Sequence, residues 1–248
     1  MTLRSQTKTP EVGIRMTALA GVATLAIFAA SELLASVLGL SAGFGLRSTG
    51  LFLCVIVVVI YGSFHHHPFP KLGAANYVTT VRTILVAFVA ALVRETPDPT
   101  VAWTGVVVAA IAATLDGWDG WLARRSRMES AFGARFDMEV DALLILVLGA
   151  FAWRHDKAGS WVLLSGALRY LFILAGLGLP WFNRPLPPST RRKAVCVIQI
   201  VALIVAIGPI ITPPLSSIIA AASLALLAWS FGVDTWWLWR AQRPEALA

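Results

Sequence analysis

Residues 116–141 read DGWDGWLARRSRMESAFGARFDMEVD, a polar stretch between two apolar runs, Val101 to Ala123 and Ala134 to Trp153. It carries four aspartates: Asp116 and Asp119 three residues apart, Asp137 and Asp141 four apart. On a helix each pair projects from one face, with Cβ atoms about 5–6 Å apart. A carboxylate at the edge of a bilayer costs several kcal/mol unless it is paired, hydrated or bound to a metal, so such acids are functional candidates. Two helix ends joined by a short loop can bring both pairs together, and four converging carboxylates repel and are driven to protonate. Divalent cations relieve that repulsion. Oxygen-only ligands select Mg²⁺ or Mn²⁺ over zinc or copper, and two such ions can clamp a diphosphate.

The rest of the chain says what surrounds this stretch. Of 248 residues, 58% are hydrophobic and only 13% charged, with a mean hydropathy of +0.76. That balance is foreign to a soluble domain and predicts an all-α polytopic membrane protein. Apolar segments run from about Met16 to Leu40, Leu51 to Ser63, Tyr77 to Leu92, Val101 to Ala123, Ala134 to Trp153, Trp161 to Leu179, Ala194 to Ile211 and Ser216 to Trp239. A spanning helix needs about 20 apolar residues, so the second and third are short. Met1 to Arg15 is polar, but the following run exceeds the about 7–15 residues of a secretory signal, so an uncleaved first helix is expected.

Eight spans place both termini on one side. Of the 20 Lys and Arg, that side carries Arg4, Lys8, Arg15, Lys71, Arg124, Arg125, Arg127, Arg135, Arg184, Arg191, Arg192, Lys193, Arg240 and Arg243; the other carries Arg47, Arg94, Arg154 and Lys157. By the positive-inside rule the termini and the aspartate loop are cytoplasmic, in a bacterial inner membrane. The net charge of +7 then reflects loops meeting anionic lipid, and no nucleic-acid partner is expected. Cys54 and Cys196 fall inside apolar runs with no CxxC spacing, indicating neither a disulfide nor a zinc site.

Gly117, Gly120, Ala123 and Gly133 leave room for a nucleotide or a neighbouring backbone, although small residues are also how membrane helices pack. Arg124 offers a cation for phosphate, whereas Arg125 and Arg127 read as positive-inside anchors. The stretch resembles the signature of the CDP-alcohol phosphotransferase family, D-x2-D-G-x2-A-R-x8-G-x3-D-x3-D, matched by Asp116, Asp119, Gly120, Ala123, Arg124, Gly133, Asp137 and Asp141. The resemblance implies a six-helix catalytic core over residues 73–240, preceded by a segment at 1–15 and two additional helices at 16–72, and followed by a tail at 241–248.

The same resemblance implies the chemistry: transfer of a substituted phosphate from CDP-diacylglycerol or another CDP-lipid to a small polar alcohol, releasing CMP, in phospholipid biosynthesis. Asp116, Asp119 and Asp137 would hold a pair of divalent ions, with Asp141 completing the site and serving as the base toward the acceptor hydroxyl. Gly120, Ala123, Arg124 and Gly133 would line the CDP pocket. Asn76 and Thr79, with Thr80 and Arg82, resemble the polar entrance on the family's first core helix. A homodimer is also implied.

Arg169, Arg191, Arg192 and Lys193 are the cations available for an acceptor that carries phosphate; Arg169, inside an apolar span, contacts substrate or pairs with an acid. The family's phosphatidylglycerophosphate synthases tend to carry G-R-E and G-K-x-K-T-x-x-Q in later helices. Here the corresponding positions read Gly166-Ala167-Leu168-Arg169 and offer only Lys193 and Gln199, so glycerol 3-phosphate is not assigned as acceptor. His65, His66 and His67 cannot share one helix face and read as a juxtamembrane loop. Glu139 points away from both neighbouring aspartates. Glu32 and Asp234 are expected to be buried acids without an evident partner. An ion-coupled transporter would place its acids near the bilayer midplane, whereas these cluster at a rim beside arginines.

Overall fold

A computed structural model describes residues 11–66, 74–126 and 131–242, with side chains described for 14, 17–61, 76–118 and 133–242. Among the described residues there are eight α-helices and no strand: α1 Glu11–Leu38, α2 Phe44–His66, α3 Ala74–Leu92, α4 Pro99–Ser126, α5 Ala131–Arg154, α6 Leu164–Gly178, α7 Thr190–Ile207 and α8 Leu215–Ala241. Two 3-10 turns, Ser160–Leu163 and Pro180–Asn183, precede and follow α6. Five helices are long and apolar enough to cross a membrane: the spans Thr17–Leu38, Phe44–Tyr61, Pro99–Trp118, Ser160–Gly178 and Leu215–Ala241.

The side-chain distribution gives the solvent. On α8 the buried stripe is Ser216, Ala220, Ser223, Leu227, Ser230, Asp234 and Leu238, while Leu215, Ile218, Trp229, Val233, Trp236 and Trp237 face outward. On α3 the buried residues include Asn76, Thr79, Thr80, Arg82 and Thr83, whereas Tyr77 and Val81 are exposed. Small and polar residues inside, large apolar ones outside, is stable only where the surroundings are themselves apolar. The protein is an integral membrane protein.

The chain forms two compact units, Met1–Ala91 with Ile111–Val140, and Leu92–Ala110 with Asp141–Ala248. In the first, α1 packs on α2. α1 ends where Gly39 adopts φ +66° and the Leu40 N–H bonds the Ala35 carbonyl at 3.0 Å, a left-handed cap that favours glycine. Apolar periodicity alone predicts the second span from Leu51; α2 begins earlier, at Phe44. Its first turns hide Arg47, Ser48 and Thr49 from a hydropathy reading. Ser48 donates to Ser31 Oγ of α1 at 2.8 Å, and Arg47 donates to Ser41 Oγ at 2.7 Å. Glu32, expected to be buried, is instead exposed, its carboxylate resting against Gly45, where a Cβ would collide with it.

The second unit is built on close backbone approach. A Cβ at Gly166 of α6 would lie 2.5 Å from Leu146 Cα of α5, and one at Gly149 of α5 would lie 3.1 Å from the Val162 carbonyl. Helices this close gain dispersion contact that bulkier pairs cannot. α4 opens on Asp98, whose carboxylate accepts the Thr100 N–H at 2.7 Å, ahead of Pro99 at the first helical position. That bond holds the Asp98 carboxyl below its ordinary pKa.

At the end of α5, Lys157 Nζ donates to the Gly208 and Ile211 carbonyls at 2.9 and 2.7 Å. The Lys157 carbonyl in turn accepts from Ser216 and Ser217 at 2.6 and 2.9 Å. Burial lowers the pKa of this ammonium. His155 stacks on Phe151 with ring centroids 4.0 Å apart, and burial lowers its imidazole pKa too.

Candidate active site

α3, α4 and α5 supply the site. Asp116 lies three turns before the end of α4, where the helix changes from Val106–Ala113, wholly apolar, to the polar sequence that follows. Asp137 lies in the second turn of α5, and Asp141 follows one turn later on the same unbroken helix, so the two project from one face. One carboxylate oxygen from each of Asp116, Asp137 and Asp141 can be chosen so that all three lie within 4.8 Å of one another. All three residues are partly buried. Three hard, anionic oxygen donors at this separation fit a divalent cation of the Mg²⁺ or Mn²⁺ class.

A buried arginine joins the carboxylates. Arg82 of α3 is 0% exposed. Its Nε donates to the Ala112 carbonyl of α4 at 3.2 Å, and its Nη1 pairs with Asp116 Oδ1 at 2.9 Å and also with Asp137 Oδ1. Sequence reading placed Arg82 only at a polar entrance. The available signal was a lone arginine in an apolar helix of a chain whose acids outnumber their local cations.

α7 meets α5 through Cys196, whose Sγ lies 4.0 Å from Asp141 Oδ2. One turn further on, Gln199 is fully buried, and neither its amide oxygen nor its nitrogen has a hydrogen-bond partner among the described residues. At the start of α7, Arg191 donates to the Ser230 carbonyl and Oγ at 2.6 and 2.7 Å and to Asp234 Oδ1 at 2.5 Å. Arg192 reaches the same Asp234 oxygen at 3.2 Å and also bonds the Pro187 carbonyl. Asp234, expected to lack a partner, therefore has two. Arg169 is half-buried on α6 and Lys193 is exposed on α7.

Asn76 and Thr79 are buried on α3, and Gly133 is partly buried in the first turn of α5. The side chains of Asp119, Gly120, Ala123 and Arg124 lie outside the described residues.

Comparison with known proteins identifies the family. Residues 72–232 match the family described as CDP-alcohol phosphatidyltransferase. The chain belongs to that family. The matched region begins just before α3 and holds every aspartate of the signature, leaving α1 and α2 outside it. Members of the CDP-alcohol phosphatidyltransferase family use divalent metals, which accords with the donor set of Asp116, Asp137 and Asp141. The chain is also similar to a CDP-diacylglycerol–glycerol-3-phosphate 3-phosphatidyltransferase from Cereibacter sphaeroides, at 27% identity over 93 residues. That similarity covers 38% of this chain and 42% of the relative. No solved structure matches the chain significantly.

Proposed function

We propose that this protein transfers a phosphatidyl group from CDP-diacylglycerol, or a related CDP-lipid, to the hydroxyl of a small polar alcohol and releases CMP. The observation that supports this most strongly is the convergence of Asp116, Asp137 and Asp141 to within 4.8 Å at the spacing of the family signature. Asp119, one turn beyond Asp116, completes the ligand set for two Mg²⁺ or Mn²⁺ ions. Metal bound there supplies positive charge to the diphosphate of the donor.

The chain's own residues do the rest. Gly120, Ala123, Arg124 and Gly133, with Asn76 and Thr79, bind and orient the cytidine diphosphate. The acceptor oxygen forms a bond to the lipid-side phosphorus as the bond from that phosphorus to the CMP oxygen breaks. The acceptor proton passes to Asp141, which lies one turn beyond Asp137 on the same face. An alcohol ionises far above neutral pH, so a carboxylate within about 3 Å of the hydroxyl is needed as the new bond forms. Arg169, Arg191, Arg192 and Lys193 are the cations for an acidic acceptor, Arg191 and Arg192 being held in place by Asp234. The reaction occurs at the cytoplasmic face of a bacterial inner membrane.

The test is to incubate purified protein with CDP-diacylglycerol, Mg²⁺ and, separately, glycerol 3-phosphate, inositol phosphate, inositol, serine or choline, and to assay CMP. Metal-dependent CMP release that requires one of these alcohols is the expected result. Absence of CMP with every acceptor, in protein that still binds CDP-diacylglycerol, would rule out this donor.

A further inference from the structure

Three acidic groups, Asp116, Asp137 and Asp141, lie close together near the apolar phase, and nothing in elementary electrostatics holds them so without positive charge. Arg82 supplies one such charge from within the protein. Its placement differs from that of a surface ion pair in three ways. The side chain is wholly buried, so its charge is little screened. Its Nε is fixed to the Ala112 carbonyl of α4 at 3.2 Å, which sets the plane of the guanidinium. One nitrogen, Nη1, is then shared between Oδ1 of Asp116 on α4 and Oδ1 of Asp137 on α5. A single cationic nitrogen between two carboxylates on different helices is the arrangement of a bridging counter-ion.

We propose that Arg82 is the resident counter-ion of the metal site, a positioning residue that keeps Asp116 and Asp137 together before metal arrives. Metal then binds to a cluster already assembled. It also binds against a fixed neighbouring positive charge, so part of its attraction to the carboxylates is offset by repulsion from the guanidinium. Removing the charge has two effects of the same sign on metal-linked stability. The metal-free protein is destabilised by unrelieved carboxylate repulsion, and the loaded protein is relieved of a cation–cation contact. The arginine thus lowers the dependence of the fold on metal while moderating affinity for it.

The inference presupposes that these carboxylates hold metal, and the experiment separates the two claims. Full-length protein in detergent is melted in excess EDTA and in saturating Mn²⁺, and Mn²⁺ affinity is measured from the EPR signal of the free ion. In wild type, Mn²⁺ should raise the melting temperature modestly. In Arg82→Gln the metal-free protein should melt lower, and the Mn²⁺-induced rise should be at least about twice that of wild type, since stabilisation follows the free energy of ligand binding to the folded state. Mn²⁺ affinity should be higher than in wild type. Arg82→Lys keeps the charge and loses the bond to Ala112, so its Mn²⁺ response should stay near that of wild type.

An unchanged or smaller Mn²⁺ response in Arg82→Gln would overturn the proposal. So would an enlarged response in Arg82→Lys, which would assign the role to the Ala112 bond. Should Arg82→Gln fold under neither condition, Arg82→Lys decides alone. No Mn²⁺ response and no Mn²⁺ uptake in wild type would remove the metal reading itself, and this inference with it.

Discussion

Arg191 of α7 and Asp234 of α8 are joined at 2.5 Å, across 43 residues of sequence. The bond fixes the start of α7, which carries Arg192 and Lys193, against the far end of α8. Asp234 is buried, with a side chain only 8% exposed, so Arg191→Ala would leave it with Arg192 as its one remaining partner among the bonds described. Removing one member of a buried pair costs on the order of 3 kcal/mol. For a chain of this size that corresponds to a fall of roughly 6–12 °C in melting temperature. Asp234→Ala should cost about as much, and the double variant no more than either alone, the non-additivity expected of a coupled pair.

Chelation is expected to abolish CMP release, and Mg²⁺ or Mn²⁺ to restore it. Asp116→Asn should raise the metal concentration needed for half-maximal activity and weaken CDP-lipid binding together, because the lost ligand serves both. Full turnover in excess EDTA would contradict the assignment of these carboxylates.

Asp141→Asn separates a base from a ligand. Shape and one oxygen donor survive, so CDP-lipid binding should largely persist while turnover falls at least about a hundredfold, the usual scale of general-base assistance. Recovery of the whole defect at high metal concentration would make Asp141 a ligand alone.

Gly166→Val should prevent α6 from packing on α5, because its Cβ would fall 2.5 Å from Leu146 Cα. The expected outcome is loss of the monodisperse species in detergent. Gly232→Ala, where a Cβ meets nothing within 4 Å, is the control and should elute and melt as wild type does.

The placement of the arginine-rich loops predicts sidedness. With Cys54 and Cys196 replaced by serine, a cysteine at Pro188 should react with an impermeant maleimide only in inverted vesicles or lysed cells. Reaction in intact cells would invert the topology and move the aspartates with it.

Much of this architecture is legible in the sequence, because an apolar run of sufficient length has few alternatives to a spanning helix. All eight runs correspond to helices. The early start of α2 was hidden because Arg47 and Ser48 find hydrogen-bond partners within the first unit, a tertiary fact that hydropathy does not register. The same holds at the site. The helical spacing of Asp137 and Asp141 gives their shared face directly. The pairing of Arg82 with Asp137 spans 55 residues and that of Arg191 with Asp234 spans 43, and no local pattern encodes either. Gln199 was noted for its interval from Lys193, but its complete burial without a partner among the described residues emerges only once α7 is packed.

Lys157 fastens the ends of three elements at one point: the exit of α5, the turn after α7 through Gly208 and Ile211, and the entry of α8 through Ser216 and Ser217. Further along the same two helices, Asp141 of α5 and Cys196 of α7 meet at 4.0 Å. α7 and α8 are therefore pinned at both ends, by Lys157 at one and by Arg191 with Asp234 at the other. A substitution that loosens Lys157 would release one of those two ends while leaving the aspartates and Arg82 untouched.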